Sequence, residues 1–177
     1  YDTRNSGLET NKGGSYTKVI NVDAYRNYDP KKNGSMAAGF ASKQTQGAGN
    51  FFYGCRAWEN GDDGFDTFDS PQAVTIEKSW TFRNGINHWN DASFAGNGNG
   101  FKLGGNGALQ RNKITNSVSF GHPNKGFDQN NNVGGVTVIN NTSFKNGINY
   151  GFGGALTSGE KNTFRNNISL SGTKADS

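Results

Sequence analysis

The chain is poor in the residues that staple, span or wind a protein in the commoner ways. A single cysteine, Cys55, in 177 residues excludes an internal disulfide framework and a cysteine-based metal site. It lies within Phe51-Phe52-Tyr53-Gly54-Cys55-Arg56-Ala57-Trp58, where a small buried residue is expected. No apolar run is long enough to cross a membrane, no signal peptide opens the chain, and no long stretch keeps apolar residues at helical spacing. No basic stripe is interleaved with aromatics, so nucleic acid is the weaker candidate partner. Hydrophobic residues make up only 31% and mean hydropathy is −0.80, values that would suggest disorder in a chain without aromatics. Here 12% of residues are aromatic and they recur in register, so a folded chain is expected.

That recurrence fixes the architecture. Gly39-Phe40, Gly64-Phe65, Gly100-Phe101, Gly126-Phe127 and Gly151-Phe152 follow one another at 25, 36, 26 and 25 residues. A second series, Tyr25, Trp58, Phe82, Phe120, Phe144 and Leu170, runs in phase, each member preceded by Ala, Thr or Ser. With 27 glycines and abundant asparagine, this period disfavours helical repeats. An all-β fold is expected: a right-handed parallel β-helix, a solenoid of roughly six coils of about 25 residues stacked at roughly 4.8 Å. The Gly-Phe series alone marks a single strand per coil; the second series raises the count to two or three. Asn21, Asn116, Asn140, Asn141, Asn166 and Asn167 suit such coils, because asparagine tolerates a left-handed backbone and its amide can bond the next coil. Apolar side chains are expected inside. The whole of 1–177 reads as one domain, and Tyr1 with no evident cap before the first coil suggests a piece of a longer chain.

The chemistry sits on the Gly-Phe turns. Asp62, Asp63 and Asp66 place three carboxylates within five residues, hard oxygen ligands that suit Ca²⁺ and repel one another when unpaired. If the Gly-Phe steps stack, Ala41, Asp66, Lys102, Asp128 and Gly153 align, one coil apart. Two readings stay open on these residues alone: a metal next to a base, or a ladder of solvated Asp–Lys pairs worth about 0–1 kcal/mol each. Lys43 and Lys125 are candidate contacts to substrate carboxylates, and Asp128, Gln129 and Asn130 are candidates to flank the groove or serve a second cation. A net charge of +4 favours a polyanionic partner, with acidic polysaccharide ahead of nucleic acid. A hydrolase is disfavoured, since no paired carboxylates on separate coils present an acid and a base.

Asn60-Gly-Asp-Asp-Gly-Phe-Asp66, Gly98-Asn-Gly-Phe-Lys-Leu-Gly-Gly105 and Lys125-Gly-Phe-Asp-Gln-Asn-Asn-Asn132, in this order and spacing, resemble polysaccharide lyase family 9, the pectate lyase type, over about residues 16–171. The resemblance implies a secreted, monomeric, calcium-dependent lyase that cleaves polygalacturonate by β-elimination. It assigns Asp62, Asp63 and Asp66 to calcium and Lys102 to the base. A lysine begins near pKa ~10.4, and a neighbouring cation and burial are expected to lower it. The family pattern has an acidic residue where this chain has Ala38, which removes one anionic ligand. A binding solenoid without activity, or a lyase on another uronate polymer such as rhamnogalacturonan, are the alternatives.

Overall fold

The computed structural model describes residues 3–177, all outside helices. Six coils follow in chain order. The first holds β1 (Leu8–Thr10), β2 (Lys18–Ile20) and β3 (Asp23–Tyr25), and the second β4 (Phe40–Ser42), β5 (Phe51–Tyr53) and β6 (Arg56–Trp58). The third holds β7 (Phe65–Asp66), β8 (Thr75–Glu77) and β9 (Trp80–Phe82), and the fourth β10 (Phe101–Lys102), β11 (Lys113–Thr115) and β12 (Val118–Phe120). The fifth holds β13 (Lys125–Asp128), β14 (Thr137–Ile139) and β15 (Thr142–Phe144), and the sixth β16 (Ile148–Gly151), β17 (Thr163–Arg165) and β18 (Ile168–Leu170). Three strands per coil replace the single strand of the Gly-Phe series. They stack into three six-stranded parallel sheets: A from the first strand of each coil, B from the second and C from the third.

The interior follows from which residue of each three-residue strand points inward. Sheet A contributes Phe40, Phe65, Phe101, Phe127 and Tyr150, rings stacked at 4.8–5.1 Å. Sheet B faces them with Val19, Phe52, Ile76, Ile114 and Val138, all buried. Sheet C contributes only small residues, Ala24, Ala57, Thr81, Ser119 and Ser143. The phenylalanines fill the width of the solenoid, and nothing larger fits opposite on sheet C. The Tyr25, Trp58, Phe82, Phe120, Phe144, Leu170 series therefore pairs in register, as its spacing implied, but on the outside of sheet C. Its rings stack face to face at 4.5–5.5 Å, half exposed rather than in the core.

The Gly-Phe series holds from the second coil to the fifth and slips in the sixth. Phe127 pairs with Tyr150 and Asp128 with Gly151, so Gly151-Phe152 is two residues out of register and Gly153 is not in the row of Asp66 and Lys102. The core needs a flat ring at that rung, and Tyr150 supplies it 5.0 Å from Phe127.

Buried asparagines bond the coils where the chain leaves sheet C. The backbone N–H of Asn27 donates to Asn60 Oδ1, that of Asn60 to Asn84 Oδ1, and that of Asn84 to His122 Nδ1. His122 N–H in turn donates to Asn146 Oδ1. A second ladder follows sheet B, through Cys55 and Ser79 to Ser117, Asn141 and Asn167. Asn21, Asn116, Asn140 and Asn166 occupy left-handed positions at the same corner. Cys55 is fully buried with its thiol against Val19 O, and burial pushes its pKa up.

Candidate active site

Sheet A carries the candidate residues on the side away from the phenylalanines. Phe40 pairs with Phe65, Phe65 with Phe101 and Phe101 with Phe127, which sets Ala41, Asp66, Lys102 and Asp128 in one outward row. Asp62 and Asp63 precede β7 in the turn, and the same register brings Ala38 alongside Asp63 from the coil below. Ala38 is fully buried.

Lys102 is drawn into this cluster. Its Nζ stands 3.2 Å from Asp63 Oδ2 and 3.6 Å from Asp66 Oδ1, and 5.2 Å from the centre of the Phe68 ring. Lys43 Nζ lies 3.6 Å from Asp66 Oδ2 and 4.0 Å from Glu9 Oε2. Charge alternates along the sheet from Glu9 through Lys43, Asp66 and Lys102 to Asp63. Lys43, Asp66, Lys102 and Asp63 are all less than a tenth exposed, so the solvated ladder of weak surface pairs is not what forms.

The two adjacent aspartates do different work. Asp62 accepts backbone N–H bonds at both oxygens, from Met36 (2.9 Å) and Asn97 (2.7 Å). These donors end the two long excursions between sheets C and A, 26–39 and 83–100, which also meet through Tyr28 stacked on Trp89 and Ala95 N–H on Asn33 O. Asp63 is completely buried; its Oδ1 accepts the backbone and side-chain N–H of Asn99 at 3.0 and 2.9 Å. Its Oδ2 has Lys102 as a charge neighbour but outside hydrogen-bond geometry, and it accepts no hydrogen bond.

Electrostatics follow from that burial. Desolvation pushes the Asp62 carboxyl up, and it pushes Asp63 well above the ordinary carboxylate range with Asp62 adding to the effect. For Lys102 burial works downward, but Asp63, Asp66 and Asp62 outweigh it and hold the ammonium above its ordinary value. Burial acts on Lys102 in the direction expected from the sequence, and the opposing pull comes from the three carboxylates that the packing brings beside the amine.

Does this arrangement fit a hard cation? The donors are buried carboxylates, one oxygen of Asp63 is without a hydrogen bond, and burial disfavours the charged forms of Asp62 and Asp63 despite the neighbouring Lys102. They fit Ca²⁺ in kind. Among the described residues no three acidic, histidine or cysteine side chains converge on one point, so water and a substrate carboxylate would complete the shell.

Lys125, Asp128 and Asn130 form a separate group one coil further on. Lys125 Nζ pairs with Asp128 Oδ1 at 2.8 Å, and the same oxygen accepts the Asn130 N–H at 2.9 Å. Together with Gln129 and Asn131 they line an open cavity of about 450 Å³ on the same face. Glu9, Asn99 and Phe68 are site residues that the motifs did not single out. Asn99 had a signal, since it takes the place before Gly-Phe that Asp63 takes one coil earlier. No helix of the described residues is long and apolar enough to cross a membrane.

Comparison with known proteins places the chain in a family. The family model described as Pel9A-like, right handed beta helix region, matches residues 1–170. Pectate lyase L of Dickeya chrysanthemi is 73% identical over 173 residues, covering 98% of this chain and 41% of that protein. A crystal structure of pectate lyase Pel9A superposes with a TM-score of 0.95 at 71% identity, over 98% of this chain and 44% of that one. A rhamnogalacturonan lyase structure matches with a TM-score of 0.70 at 33% identity, over 83% of this chain and 41% of that one. The chain thus spans about two fifths of the length of the two Dickeya pectate lyases it matches.

Proposed function

Since this chain belongs to the right-handed Pel9A-like β-helix family, polysaccharide lyase family 9 of the pectate lyase type, we propose that it is the catalytic solenoid of a secreted, calcium-dependent pectate lyase. The observation that carries this reading is Lys102 buried against Asp63 and Asp66 on one outward row of sheet A.

In the proposed reaction, Lys102 takes the C5 proton of a galacturonate unit, and electrons released at C5 form the C4–C5 double bond as the C4 oxygen leaves with its chain. That oxygen takes a proton from water. Asp62, Asp63 and Asp66 are the acids that would offer oxygens to calcium, with water and a substrate carboxylate completing its shell, and the ion would supply positive charge to offset that of the substrate carboxylate. Asn99 fixes the Asp63 carboxylate through two hydrogen bonds, and Lys43 pairs with Asp66, so both acids are oriented before substrate arrives. Phe68 and the phenylalanine ladder close the underside of the site to water. Lys125, Asp128 and Asn130 are placed to contact the next sugars along the sheet.

The test is ultraviolet absorbance of the unsaturated product from polygalacturonate. Lys102→Ala should lower the rate by about 10²- to 10⁴-fold, the span of a general base. Lys102→Arg keeps the charge and cannot deprotonate, so it should be equally slow. An active Lys102→Arg enzyme would remove Lys102 from the base role. The likeness to a rhamnogalacturonan lyase favours one second reading, in which the same residues act on that polymer; product assay on both substrates separates them.

A further inference from the structure

A notch at the corner between sheets B and C contains no residue of sheet A. Each coil turns that corner through one residue in the left-handed region: Asn21, Gly54, Lys78, Asn116, Asn140 and Asn166. Five of them carry a side chain and together form a row up the corner. Gly54 does not, and the row is open between Asn21 and Lys78. A Cβ on Gly54 would lie 2.2 Å from Asn21 Oδ1, so the Asn21 amide already leans into the gap.

The resulting cavity, about 350 Å³, is lined by Asn21, Gly54, Arg56, Lys78 and Trp80. Trp80 is the informative member. Two residues further on, Tyr25, Trp58, Phe82, Phe120 and Phe144 hide their ring faces in one stacked column. Trp80 has no ring stacked on it among the described residues and is 49% exposed. Beside it, Arg56 spends Nε and Nη2 on Asp23 at 2.7 and 2.6 Å and keeps Nη1 free. Lys78 Nζ gives one hydrogen to Tyr53 Oη at 2.9 Å and keeps two. Asp23 and Glu77 nearly balance the two cations, so bare negative charge is not what the notch selects. It matches a ligand with both a flat apolar face and a carboxylate.

We propose that this notch is a second carbohydrate site, away from sheet A, that takes one uronate unit of an acidic polysaccharide. The pyranose face lies on Trp80, the carboxylate meets Lys78 and Arg56 Nη1, and Asn21 bonds a ring hydroxyl. The proposal rests on an acidic polysaccharide being the partner, and adds a second point of attachment on a different face of the solenoid. Two attachments on one polymer raise its apparent affinity without any new contact in the groove.

The experiment is electrophoretic retardation in gels containing polygalacturonate, with the wild type, Trp80→Ala and Lys78→Glu, each checked for an unchanged melting curve. Both variants should bind the polymer about tenfold more weakly, the effect of losing one stacked ring or one charged contact. Wild-type retardation in both variants overturns the proposal, as does an absence of retardation in all three proteins. Lyase assays on the same samples separate the two ideas. Product formation with Trp80-independent retardation rejects the notch and keeps the lyase. Trp80-dependent retardation without product keeps the notch and rejects the lyase.

Discussion

At the scale of single residues, His122 is the position where the coil ladder takes an unusual member. Asn27, Asn60, Asn84 and Asn146 fill the other rungs, whereas His122 accepts the Asn84 N–H at Nδ1 (3.2 Å) and keeps its proton on Nε2, 3.1 Å from Thr81 Oγ1. Burial pushes its pKa down to about 4. An unfolded imidazole titrates near ~6.5, so between there and about 4 the unfolded chain binds the extra proton. The stabilisation is present above pH ~6.5 and is lost as pH falls through that window, on the order of 3 kcal/mol in all. His122→Asn should flatten this acid-side slope in urea midpoints measured against pH, and an unaltered slope would show that other groups carry it. Nothing in Phe120-Gly121-His122-Pro123 signals this role, because the rung is defined by residues 24 to 38 positions away. Lys102 and the aspartates were legible, since their motifs are local. The crowding of three carboxylates around Lys102 was not, because it depends on what the packing brings within reach.

At the scale of elements, the inward residues Leu8, Phe40, Phe65, Phe101 and Phe127 of sheet A are each preceded by a glycine pressed against the neighbouring coil and sheet C. A Cβ on Gly100 would lie 2.2 Å from Ser119 Oγ and 2.5 Å from Gly126 O, and one on Gly64 would lie 2.6 Å from Gly100 O. These glycines let the chain swing from sheet C to sheet A close enough for the phenylalanines to reach sheet B. Gly100→Ala should therefore destabilise the fold by about 1–3 kcal/mol through overpacking, read as a lower denaturant midpoint at constant slope. A midpoint equal to that of the wild type would mean the coil has slack there. The register of the second aromatic series was readable from spacing, while its side was not. Three residues give a strand one inward position and two outward ones, and only the width left by the phenylalanines decides that the small residue takes the inward one.

At the scale of the whole molecule, the candidate site exists only because separate coils stack. Ala38, Asp63 and Asn99 come from three successive coils, and Lys102 meets Asp66 across 36 residues. On the proposed reading, calcium joins groups that only the stacked coils bring together, so it should raise the melting temperature of the entire solenoid and a chelator should reverse the shift. Ala38→Asp sharpens the test. Without calcium, another carboxylate beside buried Asp63 should lower the melting temperature, and with calcium it should enlarge the upward shift. A variant that melts low under both conditions would place no cation at Asp63.

The sequence by itself determined the repeat, the absence of helices, the parallel stacking and the row that aligns Asp66 with Lys102, because a solenoid writes its neighbours into the chain at a nearly constant interval. It also determined the family, through three short motifs in order. The tertiary structure decided what interval cannot encode: that the second aromatic series lies outside, that Tyr150 rather than Phe152 continues the ring stack of sheet A, that Asp62 ties two loops while Asp63 keeps an oxygen free of hydrogen bonds, and that three carboxylates crowd Lys102. Each of these depends on volume, burial or the sum of charges from several coils. Those quantities come into being only when the coils stack.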